Sequence, residues 1–496
     1  MAAPAEAHAC APVASRRIIL AALFTALAAG LLAATLNVVD RPTVAVVFGG
    51  LALAAYAAGL LCLLGDRLGL SRWSFGSWTL FWYGIAFGLA TLTWSRPQTG
   101  TAAEIGIGSV LRALWLVAIG VSAWVVGYFI GPGRIPRAMA SRAIKALGRR
   151  FGTEVRSPFA PWILYGIGIA ARLAATATTG RFGYVGDAAS VVSTASGYGQ
   201  ALSLLSLCAP LAVSAAALQV YRERLPRARS TLVILFLAEL AFGAAAGGKQ
   251  NFVIAVLAVA IPFSAARHRL PKAALVVLIL VFLTVAIPFN QAYRGAVRGD
   301  SGALSVSQAV TSAPAILGQT LSAHDILAVL PTSAGFLLQR ITEIDSPAII
   351  LQRTPGQVGF LSPDQLVMGP VAEVVPRALW PGKPIIDAGY QISQQYYGFS
   401  SSVYTSSAIT PMGDLYRHGG WIPVIIGMGV LGCGVRLLDD ILDVRVNPHA
   451  IFLVLLLFPV LVKNEVDWIS LLASVPGTIA IWLLAVLLTF RKRSPA

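Results

Sequence analysis

Three ionisable residues stand where they cost energy. Arg112, Arg172 and Glu239 lie inside runs of leucine, alanine and valine long enough to cross a bilayer. A charge near the middle of such a span costs about 2.5–3.5 kcal/mol on insertion scales, so it either snorkels to the interface, pairs, or serves a site. The stretch AAAGGKQN at 244–251 sets Lys249 behind two glycines, and NQAYRGAVRGD at 290–300 brings Arg294 and Arg298, each followed by glycine. Arginine grips a phosphate through two parallel N–H bonds and lysine supplies a point charge. Cations gathered at headgroup level suit a phosphorylated lipid, although basic residues there also serve as plain anchors.

Acids, bases and aromatic rings crowd two further stretches. PRALWPGKPIIDAGY at 376–390 holds Arg377, Trp380, Lys383, Asp387 and Tyr390, with Glu373 one helical turn before Arg377. SSAITPMGDLYRHGGW at 406–421 adds Asp414, Tyr416, Arg417 and His418. Rings pack on sugar C–H faces while amides and charges read hydroxyls, which makes Trp380, Lys383, Tyr390 and Tyr416 candidates for holding a glycan. The competing use of Trp and Tyr is as interfacial belt residues. The five histidines are scattered, no His-Glu-x-x-His or Asp-x-Asp occurs, and DDILD at 439–443 reads as a solvated turn, so neither metal nor cofactor is expected. Cys10, Cys62, Cys208 and Cys433 suggest no disulfide framework.

The elements that must carry these residues are membrane helices. Hydrophobic residues make up 57% of the chain and charged residues 12%, with a mean hydropathy of +0.75, outside the range of soluble domains. A hydrocarbon core of about 30 Å takes roughly 20 apolar residues per helix. On that criterion about twelve spans are expected, near 18–39, 44–64, 76–94, 106–131, 159–178, 200–220, 230–246, 251–265, 273–289, 421–438, 449–463 and 469–490. The fold class is therefore an all-α polytopic membrane protein. SRRIIL at 15–20 opens the first span and is not read as an export signal, because the run behind it is long enough to cross.

Cytoplasmic loops carry the excess of Lys and Arg. The basic segments Arg16-Arg17, Arg67 and Arg72, Arg134 to Arg156, Arg222 to Arg229, Arg267 to Lys272 and Arg491 to Arg493 fall on one side of this twelve-span layout. Both termini are then expected in the cytoplasm. The formal net charge of +16 is a topogenic signal, and no nucleic-acid partner is expected. The layout divides the chain into a bundle at 1–289, an extracytoplasmic loop domain at 290–420 and a second bundle segment at 421–496. A loop that long implies helices with ordered connections, and 326–351 has helix-compatible apolar spacing.

PRALWPGKP, a following Gly-Tyr, and SSAITPMGDLYRHGG leading into a helix together resemble the signature of the Wzy-type O-antigen and oligosaccharide repeat-unit polymerases. The turn at Gly247-Gly248-Lys249 is similar to one in that family, which carries glutamate more often than aspartate at the position of Asp414. The resemblance implies a GT-C-like membrane glycosyltransferase of the bacterial cytoplasmic membrane, with a possible chain-length regulator as partner. Such an enzyme transfers glycan from undecaprenyl diphosphate to a sugar hydroxyl of another lipid-linked repeat, outside the cytoplasm. Departing diphosphate needs cations, for which Arg172, Lys249, Arg294, Arg298 and Arg377 are the candidates. The attacking hydroxyl needs a general base, for which Asp414, His418 and Glu373 are the candidates. A glycan ligase with the same donor, and a lipid-linked glycan transporter or flippase, are the alternatives; the outward bias of the charges and the large loop count against transport.

Overall fold

The computed structural model describes residues 11–38, 40–64, 69–180, 182, 198–297, 305–322, 326–375, 379–380, 388–400 and 406–492. Long apolar runs without a polar stripe form α1 (Ala11–Asn37) and α2 (Pro42–Leu64), which pack along one another. The next run starts as α3 (Phe75–Tyr83), then continues as a π turn over 84–88 and 3-10 turns over 89–95. The cause of the break is an insertion into its hydrogen-bond ladder: the Glu343 N–H donates to the Ala86 carbonyl (3.3 Å) and the Thr342 hydroxyl to the Ala90 carbonyl (3.1 Å).

The chain proceeds through α4 (Ile107–Ile130), the basic amphipathic α5 (Arg134–Arg150), the strand β1 (Phe151–Val155) and α6 (Ala160–Thr179). Next come α7 (Gly199–Ser206), α8 (Cys208–Tyr221), α9 (Ala228–Ala245), α10 (Lys249–Arg267), α11 (Lys272–Val281) and α12 (Ile287–Val297). The long connection holds α13 (Val306–Ser322), α14 (Ile326–Ile341), α15 (Asp345–Arg353), α16 (Gln365–Val374), α17 (Ala388–Tyr397) and α18 (Pro411–Arg417). The chain closes with α19 (Trp421–Ile441), α20 (Pro448–Leu461), α21 (Trp468–Thr489) and β2 (Phe490–Lys492).

Among the described residues, ten helices are long and apolar enough to cross a membrane. The other two expected spans differ: 76–94 is the interrupted segment, and 449–463 yields α20, with fourteen residues. At 1.5 Å per residue α20 reaches about 21 Å, short of a core of about 30 Å. The turn after it is buried at Asn464, which is 1% exposed.

Direct contacts sort the loops into two ends. At one end β1 pairs antiparallel with β2 (Phe151 opposite Lys492), Arg137 pairs with Asp440 at 3.0 Å, and Arg445 reaches Ser71 and the His268 carbonyl. At the other, Gly106 N–H donates to Gln352, Arg353 pairs with Glu104, and Trp94 Nε1 donates to Asp345. This is the alternation that the basic segments require. The span expected to end at 289 runs on to Val297, and the described parts of the connection after it are largely helical and not merely laid over the bundle. Ile344, Ile349, Ile350, Ile392, Met412 and Leu415 are buried in the same apolar cluster as the long helices.

Candidate functional site

The short helix α18 owes its position to its two ends. Thr410 accepts the Gly413 N–H at 3.2 Å, Pro411 occupies the first turn, and Gly419 and Gly420 (φ 138° and 79°) end the helix in backbone conformations that favour glycine. Asp414, Arg417 and His418 therefore fall at i, i+3 and i+4, on one face, and all three are buried. That face meets the N-terminus of α21. Asp414 Oδ2 accepts the Trp468 N–H at 3.0 Å, Asp414 Oδ1 stands 3.4 Å from an Arg417 Nη, and Asp467 caps α21 by accepting the Ser470 N–H at 2.8 Å. Burial pushes the Asp414 carboxyl above the usual carboxylate range, and the Arg417 charge opposes that rise.

Both neighbours of Asp414 on this face keep unused polar atoms. His418 Nδ1 lies 2.8 Å from the Asp414 backbone oxygen; a carbonyl only accepts, so the proton is on Nδ1 and the neutral ring keeps a lone pair on Nε2. That Nε2 is buried without a hydrogen-bond partner. Arg417 Nη2 donates to Gln391 at 3.1 Å, its guanidinium lies 5.9 Å from the Tyr396 ring centroid, and Nη1 is the nitrogen that faces Asp414, while Nε makes no hydrogen bond.

A cationic turn forms separately, where α9 meets α10. Arg294 donates through Nε and Nη2 to the Gly247 carbonyl (3.3 and 3.0 Å), and Asn290 donates to the same oxygen at 2.7 Å. Lys249 opens α10 with its Nζ 4.3 Å from the Phe336 ring centroid, and its electrostatic neighbours are Arg294 and Arg340. Arg340 approaches Glu465 at 3.6 Å, and Lys463 binds the same carboxylate at 2.6 Å. The connection from α20 into α21 thus touches both groups, Arg340 through Glu465 and Asp414 through Trp468, the first residue of α21. The same turn and the 342–345 segment reach the interior of the bundle: Asn464 Nδ2 donates to the Tyr83 hydroxyl at 2.6 Å, and Trp82 Nε1 to Glu343 at 2.8 Å.

Residues 183–440 match the family described as a domain of unknown function, DUF8712, over just over half of the 496 residues. The chain belongs to this family. No curated protein and no solved structure matches the chain. The matched region holds Lys249, Arg294, Arg340, Asp414, Arg417 and His418, and stops short of the connection into α21 that touches both groups.

The structure brings some sequence-derived candidates together and separates others. Asp414 and His418 share the α18 face, and Glu373 reaches the same first turn of α21, where the Ser470 hydroxyl stands 3.5 Å from its carboxylate. Lys249 and Arg294 share the Gly247 turn. Arg172 is a correction: both of its terminal nitrogens donate to Glu239 (2.7 and 3.0 Å), so its charge is already compensated and the diphosphate role expected of it does not fit. Tyr416 is another, since it is only 8% exposed and its ring packs against Phe360 and Trp421, leaving little ring surface for sugar. Trp380 is 42% exposed and Tyr390 is partly buried. Arg298, Arg377 and Lys383 lie outside the described residues.

Sequence reasoning named Arg417 without giving it a role and passed over Arg340, Glu343, Lys463 and Glu465. The i, i+3 spacing from Asp414 was a usable signal for Arg417. For Glu465 the neighbouring Lys463 was legible, but Arg340 comes from a helix distant in the chain. Among the described residues no three His, Cys, Asp or Glu side chains converge as metal ligands would.

Proposed function

We propose that the protein is a membrane glycosyltransferase of lipid-linked glycans, a polymerase that extends a repeat-unit chain. Glycan would pass from undecaprenyl diphosphate to a hydroxyl of a second lipid-linked repeat, on the extracytoplasmic side of the bacterial cytoplasmic membrane. The observation that carries this reading is the burial of His418 beside the Arg417–Asp414 pair: Arg417 and His418 are each 1% exposed, and Arg417 Nε and His418 Nε2 have no hydrogen-bond partner. A buried polar atom left without a partner costs about 1–3 kcal/mol, and a substrate bearing both anionic oxygens and hydroxyls would satisfy both residues.

In this reading His418 Nε2 takes the proton of the acceptor hydroxyl as its oxygen attacks the anomeric carbon. The bond from that carbon to the diphosphate oxygen breaks, and its electron pair departs with the diphosphate. Lys249 and Arg294 at the cationic turn supply the charge that stabilises this departure, with Arg417 Nε as a further donor. Asp414 holds rather than reacts: one of its oxygens is committed to the Trp468 N–H and the other faces Arg417. Among the three base candidates His418 is therefore preferred. The positive-inside rule assigns the β1–β2 end to the cytoplasm and the site to the opposite side.

The test is to incubate protein in nanodiscs with a lipid-diphosphate-linked repeat and resolve products by length. A ladder of added repeats is expected, and His418→Gln is expected to slow it by at least about 100-fold with unchanged thermal stability. If labelled substrate crosses a vesicle membrane and no glycan is joined, the transferase reading fails. An unchanged ladder from His418→Gln removes the base.

A further inference from the structure

A cavity lies at the opposite end of the molecule, away from every residue assigned to glycan transfer. Its volume is about 790 Å³, and it opens between α11 and the wall made by α8, α9 and α10. The opening exists because α11 stands off from the bundle. None of its residues is buried, and Val276, Val277, Ile279 and Leu280 are all exposed. Phe236, Val259, Phe263 and Leu278 line the interior, and Arg269 and Lys272 lie at the mouth. Both cations are exposed, and no carboxylate contributes to the lining. The α10–α11 hairpin is held at this end by Arg445, which reaches the His268 carbonyl and Ser71.

The dimensions point to one leaflet. Lining residues on α10 begin at Val256, eleven residues before Arg267 at the end of that helix. At 1.5 Å per residue this is about 16 Å, close to half of a hydrocarbon core of about 30 Å. The wall is apolar over that depth and turns cationic only where headgroups would lie.

We propose that this cleft is a binding site for one anionic phospholipid of the adjacent leaflet, with an acyl chain between α10 and α11 and its phosphate against Arg269 and Lys272. The lipid completes the packing of α11, none of whose residues is buried, and so sets the angle at which α11 and the π turn over 282–286 enter α12. Charge complementarity selects the occupant: a zwitterionic lipid would fill the apolar wall but would carry no net charge to the two cations.

Native mass spectrometry of delipidated protein, titrated with phosphatidylglycerol and with phosphatidylcholine, tests the site. The first phosphatidylglycerol should bind more tightly than the first phosphatidylcholine. The double variant Arg269→Ala/Lys272→Ala should weaken the first phosphatidylglycerol by about thirty-fold, taking the usual contribution of a basic residue at an anionic surface for each. Ala274→Trp fills the cleft from an exposed position on α11, and should abolish the first binding event for both lipids while thermal stability in detergent is kept. Equal affinity of the wild-type protein for the two lipids, an unchanged double variant, or unchanged binding to Ala274→Trp would each overturn the proposal. None of these readouts depends on glycan transfer.

Discussion

Replacing Glu239 with leucine should destabilise the protein by about 3–5 kcal/mol, the usual consequence of stranding one member of a buried ion pair. Glu239 is 3% exposed and accepts two hydrogen bonds from Arg172, at 2.7 and 3.0 Å, while the guanidinium lies 4.1 Å from the Phe242 ring centroid. With the carboxylate gone, an arginine stays within a span at a cost of about 2.5–3.5 kcal/mol, which agrees with the lower part of that range. Arg172→Leu should cost a similar amount by stranding Glu239. The double variant removes both charges and should return to within about 1 kcal/mol of the wild type, because two leucines fill the space without a desolvation penalty. Equilibrium unfolding in mixed micelles gives the four corners of the cycle. If Glu239→Leu costs less than about 1 kcal/mol, the pair is not the buried unit argued for. The product ladder then asks a separate question of the stable double variant: normal polymer length is expected, and its loss would return Arg172 to the diphosphate site.

Three further expectations concern regions outside that pair. Burial raises the Asp345 carboxyl to about 6, against the opposing hydrogen bond from Trp94. A carboxyl raised in the folded state lends stability below its unfolded value and loses it as pH climbs toward the folded value. Stability should therefore fall by about 3 kcal/mol between about pH 4 and pH 6, and Asp345→Asn should flatten that slope in thermal melts across the same window. Asp414→Asn keeps an acceptor for the Trp468 N–H but leaves Arg417 buried beside a neutral group, so a loss of about 3 kcal/mol is expected in the same unfolding assay; no loss would dismiss the ion pair. Side chains are excluded where α4 crosses α19, since a Cβ on Gly127 would run into the Gly429 carbonyl and one on Gly432 into that of Trp124. Gly127→Val should separate the helices and lower the yield of monodisperse protein in size-exclusion chromatography, whereas Gly108→Val, with open space at its Cβ, should not.

Much of the architecture was legible because membrane insertion is a local requirement. Ten of the expected runs are helices of spanning length, since each needs only about 20 apolar residues and satisfies its backbone internally. The sorting of basic and non-basic loops to opposite ends followed from the same count. Of the two runs that differ, 449–463 is short in the sequence itself, closing at Lys463-Asn464-Glu465, and only 76–94 differs for a non-local reason. Residues 84–95 carry an ordinary apolar pattern, yet their carbonyls are taken by Glu343 and Thr342, some 250 positions away. A sequence window cannot register that capture.

The site divides in the same way. Residue type drew attention to Lys249 behind two glycines and to Arg294, and the family resemblance to Asp414 and His418 as base candidates. Their partners came only from the fold. Arg172 looked like a phosphate cation because nothing near it in the chain opposes it, while its carboxylate sits on another helix. Asp414 looked like the reacting group by motif, but Trp468 and Arg417 occupy its oxygens. The sequence by itself determined a polytopic helical membrane protein, the end at which its basic loops gather and the short stretches that hold chemistry, because hydropathy and helix periodicity act over a few turns. Only the tertiary structure decided which charges are already paired and which are left open, because pairing within a bundle joins helices whose order in the chain says nothing of their contacts.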